Sequence, residues 1–267
     1  MKPYAWLAAR PTRGVIASIP HTGTWLPDTV RARLSSDAMR ALPMTDWHLH
    51  ELYDFLPSLG VPVLHATVSR FAGDLNRSAT PMALYPGRVE TGVIPLQTFW
   101  GDTVWADPPS PRESDEWIAQ WHRPYHEQLS ARIGNLIERF GRVVLFDLHS
   151  VASAENSIHG ALEHDIYLGN RDGASCSDAL IDAVERAYVD QGFSVVRNDP
   201  YKGGFITQNY GGLDGVDALQ IEMVQRVYMD EGRPDAATGS ERFAEAKRVL
   251  TGVFGEILDR AVPSSRT

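Results

Sequence analysis

With 267 residues, 43% of them hydrophobic and 22% charged, the chain has the composition of an ordinary globular protein with a substantial core. A formal net charge of −9 without any basic run excludes the electrostatic footprint of a nucleic-acid binder and leaves small molecules as the expected partners. The lone Cys176 excludes an internal disulfide and a multi-cysteine zinc site, so any metal falls to histidines and carboxylates.

In chain order, the first ten residues hold too short an apolar stretch for a signal peptide, and no later stretch reaches membrane-span length, so a cytoplasmic location with no membrane partner is expected. Apolar, β-favouring runs occupy 14–19, 61–68, 142–147, 165–169, 193–197 and 217–223. Between them, Ser110-Pro111-Arg112-Glu113 combines an N-cap serine, proline at the first helical position and a glutamate placed for a capping box. Ile118, Trp121, Tyr125, Leu129, Ile133, Leu136 and Phe140 then keep a helical period that Pro124 is expected to kink or divide. Residues 175–178 open another helix, and 238–241 offer a second capping box ahead of an apolar face from Phe243 to Leu258. The alternation predicts an α/β fold with a mixed, largely parallel central sheet flanked by helices, in one domain spanning 1–267. Two stretches interrupt it: 72–110, rich in Gly, Pro and exposed-looking aromatics such as Tyr85, Phe99, Trp100 and Trp105, and 198–215. Long irregular segments inside a compact domain are more often functional than idle, so both are expected to wall a pocket.

Three segments place ionisable residues where strand-like runs give out, the edge at which an open α/β sheet binds ligands and metals. His21 follows Ile19-Pro20 and precedes Thr22-Gly23. Asp147 and His149 stand two apart, hence on one strand face, where the carboxylate could orient the imidazole. Glu222 interrupts a run that is otherwise apolar; a buried carboxylate must be paired, metal-linked or protonated, and burial raises its pKa toward that of a general base. Asp46 stands near the start of a helix carrying Leu49, Leu52 and Tyr53, where Thr45 or Asp46 also suits an N-cap; His48 and His50 face different ways on that helix. Arg70 and Arg77 bring two guanidinium groups near a strand end, suited to carboxylate capture or to surface ion pairs.

Taken together, IPHTG (19–23), TDWHLHELYDF (45–55), SRFAGDLNR (69–77), WHRPYHEQL (121–129), FDLHS (146–150), DGASC (172–176), YKGGFIT (201–207) and LQIEM (219–223) with YMDE (228–231) resemble the N-formylglutamate amidohydrolase (deformylase) family. The resemblance implies a fold similar to the zinc carboxypeptidases and aspartoacylases and a mononuclear zinc site. In that reading His21 and His149 are metal ligands, and Asp46 takes the carboxylate-ligand role because Thr24 stands where the carboxypeptidase pattern has a glutamate. Two histidines and one carboxylate leave a position for water. The resemblance further implies Glu222 as general base, Arg70 polarising the scissile carbonyl or adding to carboxylate binding, Asn76 and Arg77 holding a substrate carboxylate, and Lys202, Gly203 and Thr207 lining the same pocket. Direct hydrolysis of N-formyl-L-glutamate to formate and glutamate follows, with Arg77, Arg88 and Lys202 as candidates for the second substrate carboxylate. Two readings stay open beside it: hydrolysis of another N-acyl amino acid or short peptide, and a non-catalytic ligand-binding protein on the same scaffold. Cobalt, manganese or iron also suit the ligand set, and the sequence carries no signal of oligomeric state.

Overall fold

A computed structural model describes residues 1–80 and 91–262; Tyr85 and Arg88 lie outside the described residues. Strands β1 (Tyr4–Leu7), β2 (Val15–Ile19), β3 (Val63–Ala66), β4 (Val143–Val151), β5 (Ile166–Gly169), β6 (Val195–Arg197) and β7 (Val216–Val224) form one sheet in the order β1-β3-β2-β4-β7-β5-β6. Helices α1 (Asp28–Arg31), α2 (Asp37–Arg40) and α3 (Leu49–Leu52) are single turns, whereas α4 (Pro111–Trp117), α5 (Arg123–Phe140), α6 (Asp178–Asp190), α7 (Phe205–Gly211) and α8 (Glu241–Ala261) are longer. β3, β2, β4 and β7 run parallel, with β1 antiparallel to β3 at one edge and β5 antiparallel to β7 toward the other, so the sheet is mixed and largely parallel as expected. The strand order grows from β2 toward β3 on one side and toward β4 on the other. The carboxyl ends of β2 and β4 therefore flank a crevice of the kind that binds ligands.

Alternation divides each central strand between two helical layers. Val15, Ala17, Val144, Phe146, Leu148, Leu219, Ile221 and Met223 pack in one cluster with Leu180 and Val184 of α6 and Leu250 and Phe254 of α8. Ile16, Val143, Leu145, Val216 and Ala218 pack in another with Leu129 and Ile133 of α5 and Ile206 and Tyr210 of α7. A third cluster joins Leu26, Phe71, Trp105, Trp117 and Trp121, which corrects the expectation of an exposed Trp105: its Nε1 donates to Pro95 O at 2.8 Å inside this cluster.

The helix punctuation is mostly where the sequence puts it. Ser110 and Glu113 form the capping box, and a π-helical turn over Ile118–His122 separates α4 from α5, immediately before Pro124, which has no N–H to extend the preceding ladder. Ahead of α8 the cap is Ser240, accepting from Phe243 N at 3.2 Å, rather than Thr238. The stretch 198–215 is not irregular throughout: α7 forms within it because Ile206 and Tyr210 bury on the α5-side cluster. No helix among the described residues is long and apolar enough to cross a membrane.

Candidate active site

On the face that meets α5 and α7, the strands change character toward their carboxyl ends. Ile16 is followed by Ser18, Leu145 by Asp147 and His149, and Ala218 by Gln220 and Glu222. β4 continues to Val151, further than its apolar run indicates, β7 continues to Val224, and their register sets Asp147 beside Gln220 and His149 beside Glu222. His21 lies just past β2. Asp46 is no N-cap: α3 begins at Leu49 with His48 in the cap position, and the Asp46 carboxylate instead accepts from Ser150 N at 3.1 Å. His48 donates to Pro234 O and His50 pairs with Thr22 Oγ1, so neither joins the cluster.

Asp46 Oδ2 stands 3.1 Å from His149 Nδ1 and 3.7 Å from His21 Nδ1, and one ligand atom from each of these three buried residues lies within 4.8 Å of the others. Such spacing suits three donors around a single ion with bonds of about 2 Å. The remote ring nitrogens face carboxylates. His21 Nε2–H donates to Asp74 Oδ1 at 2.7 Å, and His149 Nε2 lies 3.0 Å from Asp147 Oδ2. A proton held on Nε2 leaves the Nδ1 lone pair for a metal, the arrangement by which outer carboxylates orient histidine ligands.

Charge supports the same reading. Burial raises the Asp46 carboxyl, but its bonds with His149 and His21 outweigh this and hold it below the usual range. Burial likewise opposes the ionised Asp74, which the charges of His21, Arg70 and Arg77 keep well below that range. His149, disfavoured as a cation by burial, is pushed well above its ordinary value by Asp147 and Glu222. Glu222 goes the other way, since burial pushes its carboxyl up to about 7 against the pull of His149. Asp74 Oδ2 and Asp147 Oδ1 are buried without a hydrogen-bond partner among the described residues. This cluster of buried carboxylates is what a divalent cation would neutralise in place of the proton that His149 otherwise holds.

A cavity of about 100 Å³ opens on the cluster, with Arg70, Arg77, Phe99, Ile158 and Tyr201 on its walls beside the metal set and Glu222. The Arg70 guanidinium packs over the Phe99 ring, 5.6 Å from its centroid, and its Nη2 contacts His21 Nδ1, so it reaches the ring edge whose lone pair could serve a metal. Arg77 lines the cavity with Nη1 donating to Asn76 O at 2.9 Å, and Asn76 stands with Nδ2 3.1 Å from His149 Nε2. Lys202 is not brought to the cavity: its ammonium lies 2.7 Å from Asp172 Oδ2 on a 41% exposed side chain. Gly203, at φ 108°, packs on Thr207, whose hydroxyl is 3.5 Å from Asp147 Oδ2; both stand behind the wall, and it is Gly204 that lines it. A Cβ at 204 would lie 2.3 Å from Asn76 Nδ2, so only glycine allows this approach.

The sequence model of the N-formylglutamate amidohydrolase family matches residues 13–229, a span that takes in His21, Asp46, His149 and Glu222. The chain belongs to this family. It is 38% identical to an N-formylglutamate deformylase of Pseudomonas putida over 224 residues, covering 82% of this chain and 83% of that one. With an N-formylglutamate deformylase of Pseudomonas aeruginosa PAO1 it shares 37% identity over 240 residues, 88% and 89% of the two chains. The crystal structure of N-formylglutamate amidohydrolase from Ralstonia eutropha JMP134 superimposes with a TM-score of 0.81 at 28% identity, covering 97% of this chain and 98% of that one.

Several residues of this amidohydrolase site were not singled out by the sequence. Asp74, wholly buried against His21, sits in an irregular segment where no periodicity marks an inward position. Ser157 and Ile158 reach the cavity from another such segment. Gln220 did leave a signal, because it shares the strand face of Glu222 and breaks the same apolar run.

Proposed function

We propose that this amidohydrolase cleaves the formamide bond of N-formyl-L-glutamate, giving formate and L-glutamate, with zinc as the ion held by His21, Asp46 and His149. The observation that carries the reading is the meeting of that His–Asp–His set with a protonatable Glu222 in one cavity, in a chain of this family. Zinc at such a set supplies Lewis acidity toward the acyl oxygen and toward water. Glu222, whose carboxyl is pushed up to about 7, takes a proton from the attacking water and later delivers one to the departing amine, and a pKa near the working pH serves both directions. Arg70 stabilises the negative charge that develops on the formyl oxygen. Arg77, with Asn76 beside it, holds a substrate carboxylate by charge-assisted hydrogen bonds. Lys202, Gly203 and Thr207 act indirectly, by shaping the turn that presents Gly204 and Tyr201 to the cavity. Phe99, Ile158 and Tyr201 cover the reacting atoms and limit bulk water.

The test is formate release from N-formyl-L-glutamate by the purified protein, before and after chelation and after zinc is restored, with Glu222→Gln alongside. Chelation is expected to stop turnover and zinc to restore it, while Glu222→Gln keeps the metal and loses about 10²- to 10⁴-fold in kcat. Full turnover in the chelated protein would remove the metal from the scheme. Zinc bound without turnover would redirect the search to other N-acyl amino acids.

A further inference from the structure

On its α5-facing side β7 is apolar at Val216 and Ala218 and then places Gln220, only 4% exposed, ahead of Glu222. A carboxamide buried this far is costly unless its groups are bonded. Gln220 Oε1 accepts from Gly204 N at 2.7 Å, and Nε2 donates to Glu222 Oε1 at 3.0 Å. Because a backbone N–H can only donate, Gly204 decides which end of the carboxamide is oxygen and obliges the amino group to face Glu222. The Gly204 segment is itself fixed, since Asn76 Oδ1 accepts from Ile206 N at 2.8 Å and the Asn76 side chain fills the space beside Gly204. Among the described residues Glu222 Oε2 accepts no hydrogen bond, and both Gln220 and Glu222 line the cavity.

We propose that Gln220 is a positioning residue for the base: anchored by the Gly204 amide, it holds Glu222 Oε1 and leaves Oε2 to exchange a proton with the reacting water. The proposal rests on Glu222 being the base, as set out above. A neutral amide suits this task because it can hold a carboxylate without giving or taking a proton, so Glu222 stays the sole proton carrier of the pair. Aliphatic side chains at 220 would orphan the Gly204 N–H and free Glu222 to rotate. A glutamate there would keep the bond from Gly204 but replace the neutral donor by a second carboxyl that shares a proton with Glu222, so that Glu222 is no longer the sole proton carrier. The contact lies between residues two apart on one strand, a more rigid support than a loop provides.

Gln220→Met and Gln220→Glu test this with three readouts: zinc content, steady-state kinetics and a crystal structure of each variant. Both are expected to bind zinc as the parent does and to lose at least about tenfold in kcat with KM within about twofold, since a misplaced base forfeits part of the 10²- to 10⁴-fold it supplies. The structures are expected to show the Glu222 carboxylate displaced. Unchanged kcat, a change confined to KM, activity lost only together with zinc, or Glu222 unmoved in the variant structures would each overturn the proposal. Should Gln220→Met fail to fold, Gln220→Glu carries the test, because it retains the acceptor for Gly204. Should the parent protein not turn over N-formyl-L-glutamate, the substrate reading fails on that control, and the position of Glu222 in the variant structures still decides the role of Gln220.

Discussion

β4 shows two faces that begin alike and end differently. Toward α6 and α8 it presents Val144, Phe146 and Leu148 before Ser150 near its end, whereas toward α5 and α7 Val143 and Leu145 give way earlier to Asp147 and His149. β7 repeats the division, with Leu219, Ile221 and Met223 on one side and Gln220 and Glu222 on the other. Burying carboxylates such as Asp147 costs several kcal/mol each unless charge and hydrogen bonds compensate. The same strands therefore carry on one face the packing that stabilises the fold and on the other the groups that weaken it, at successive residues of a single backbone. A site built this way is held by the pleat of central strands, so His149 and Glu222, the proposed ligand and base, are neighbours by register before any loop contributes.

Two substitutions separate the faces, and the larger effect belongs to the polar one. His149→Ala removes a ligand of the His–Asp–His set, and zinc content is expected to fall from one per chain toward none. Loss of an outer partner of a ligand already costs about 10- to 100-fold, so loss of the ligand itself is expected to exceed about 100-fold in formate release. Phe146→Ala, on the apolar face beside Phe254, is expected to cost about 3–5 kcal/mol and about 10 °C in Tm, with kcat/KM of the folded protein within about twofold. Zinc retained after His149→Ala would refute the ligand role of His149, and a Phe146→Ala protein that stays folded but inactive would show that the two faces are not independent.

The apolar face was the legible one. Hydrophobic runs marked β2 to β7 closely because their burial is encoded in type and alternation, while β1 escaped notice as a four-residue edge strand buried only in part. The same reasoning placed the end of β4 too early, because an ionisable residue reads as a strand terminus unless a partner for its charge is known; the strand runs on past Asp147 since His149 meets that carboxylate there. α7 hid behind Gly203 and Gly204, whose low helix preference is overridden by the burial of Ile206 and Tyr210. His21, Asp46 and His149 came together in the family resemblance, but their geometry depends on Asp74 and the turn before α3, which are tertiary facts. Lys202 shows the converse: a cation beside a Gly-Gly turn reads as a ligand for carboxylates, and it is Asp172 that it meets.

The smallest expected effect sharpens the comparison through pH. His126, on α5 behind the polar face, donates from Nε2 to Leu75 O at 2.9 Å and sets Nδ1 3.1 Å from the Tyr210 hydroxyl, with His122, Tyr125 and Phe205 packed around it. Burial, aided by His122, pulls its imidazole down to about 3 from the ordinary 6.5. The folded protein thus keeps His126 neutral where the unfolded chain is protonated. Its contribution is fully present above pH 6.5 and declines as pH falls toward 3, by at most about 1.4 kcal/mol per pH unit. His65, pulled by burial to about 4, acts in the same direction between 6.5 and 4. Urea unfolding measured at pH 7 and pH 5 is expected to show lower stability at pH 5, with His126→Gln flattening that dependence by about one proton. Phe146→Ala is expected to lower both values equally, because a cavity on the apolar face binds no protons. Glu222, raised to about 7, acts in the opposite direction over the same window, so the variant decides: a pH dependence unchanged by His126→Gln would refute the neutral His126. A flattened slope in Phe146→Ala would mean that the apolar face also senses pH.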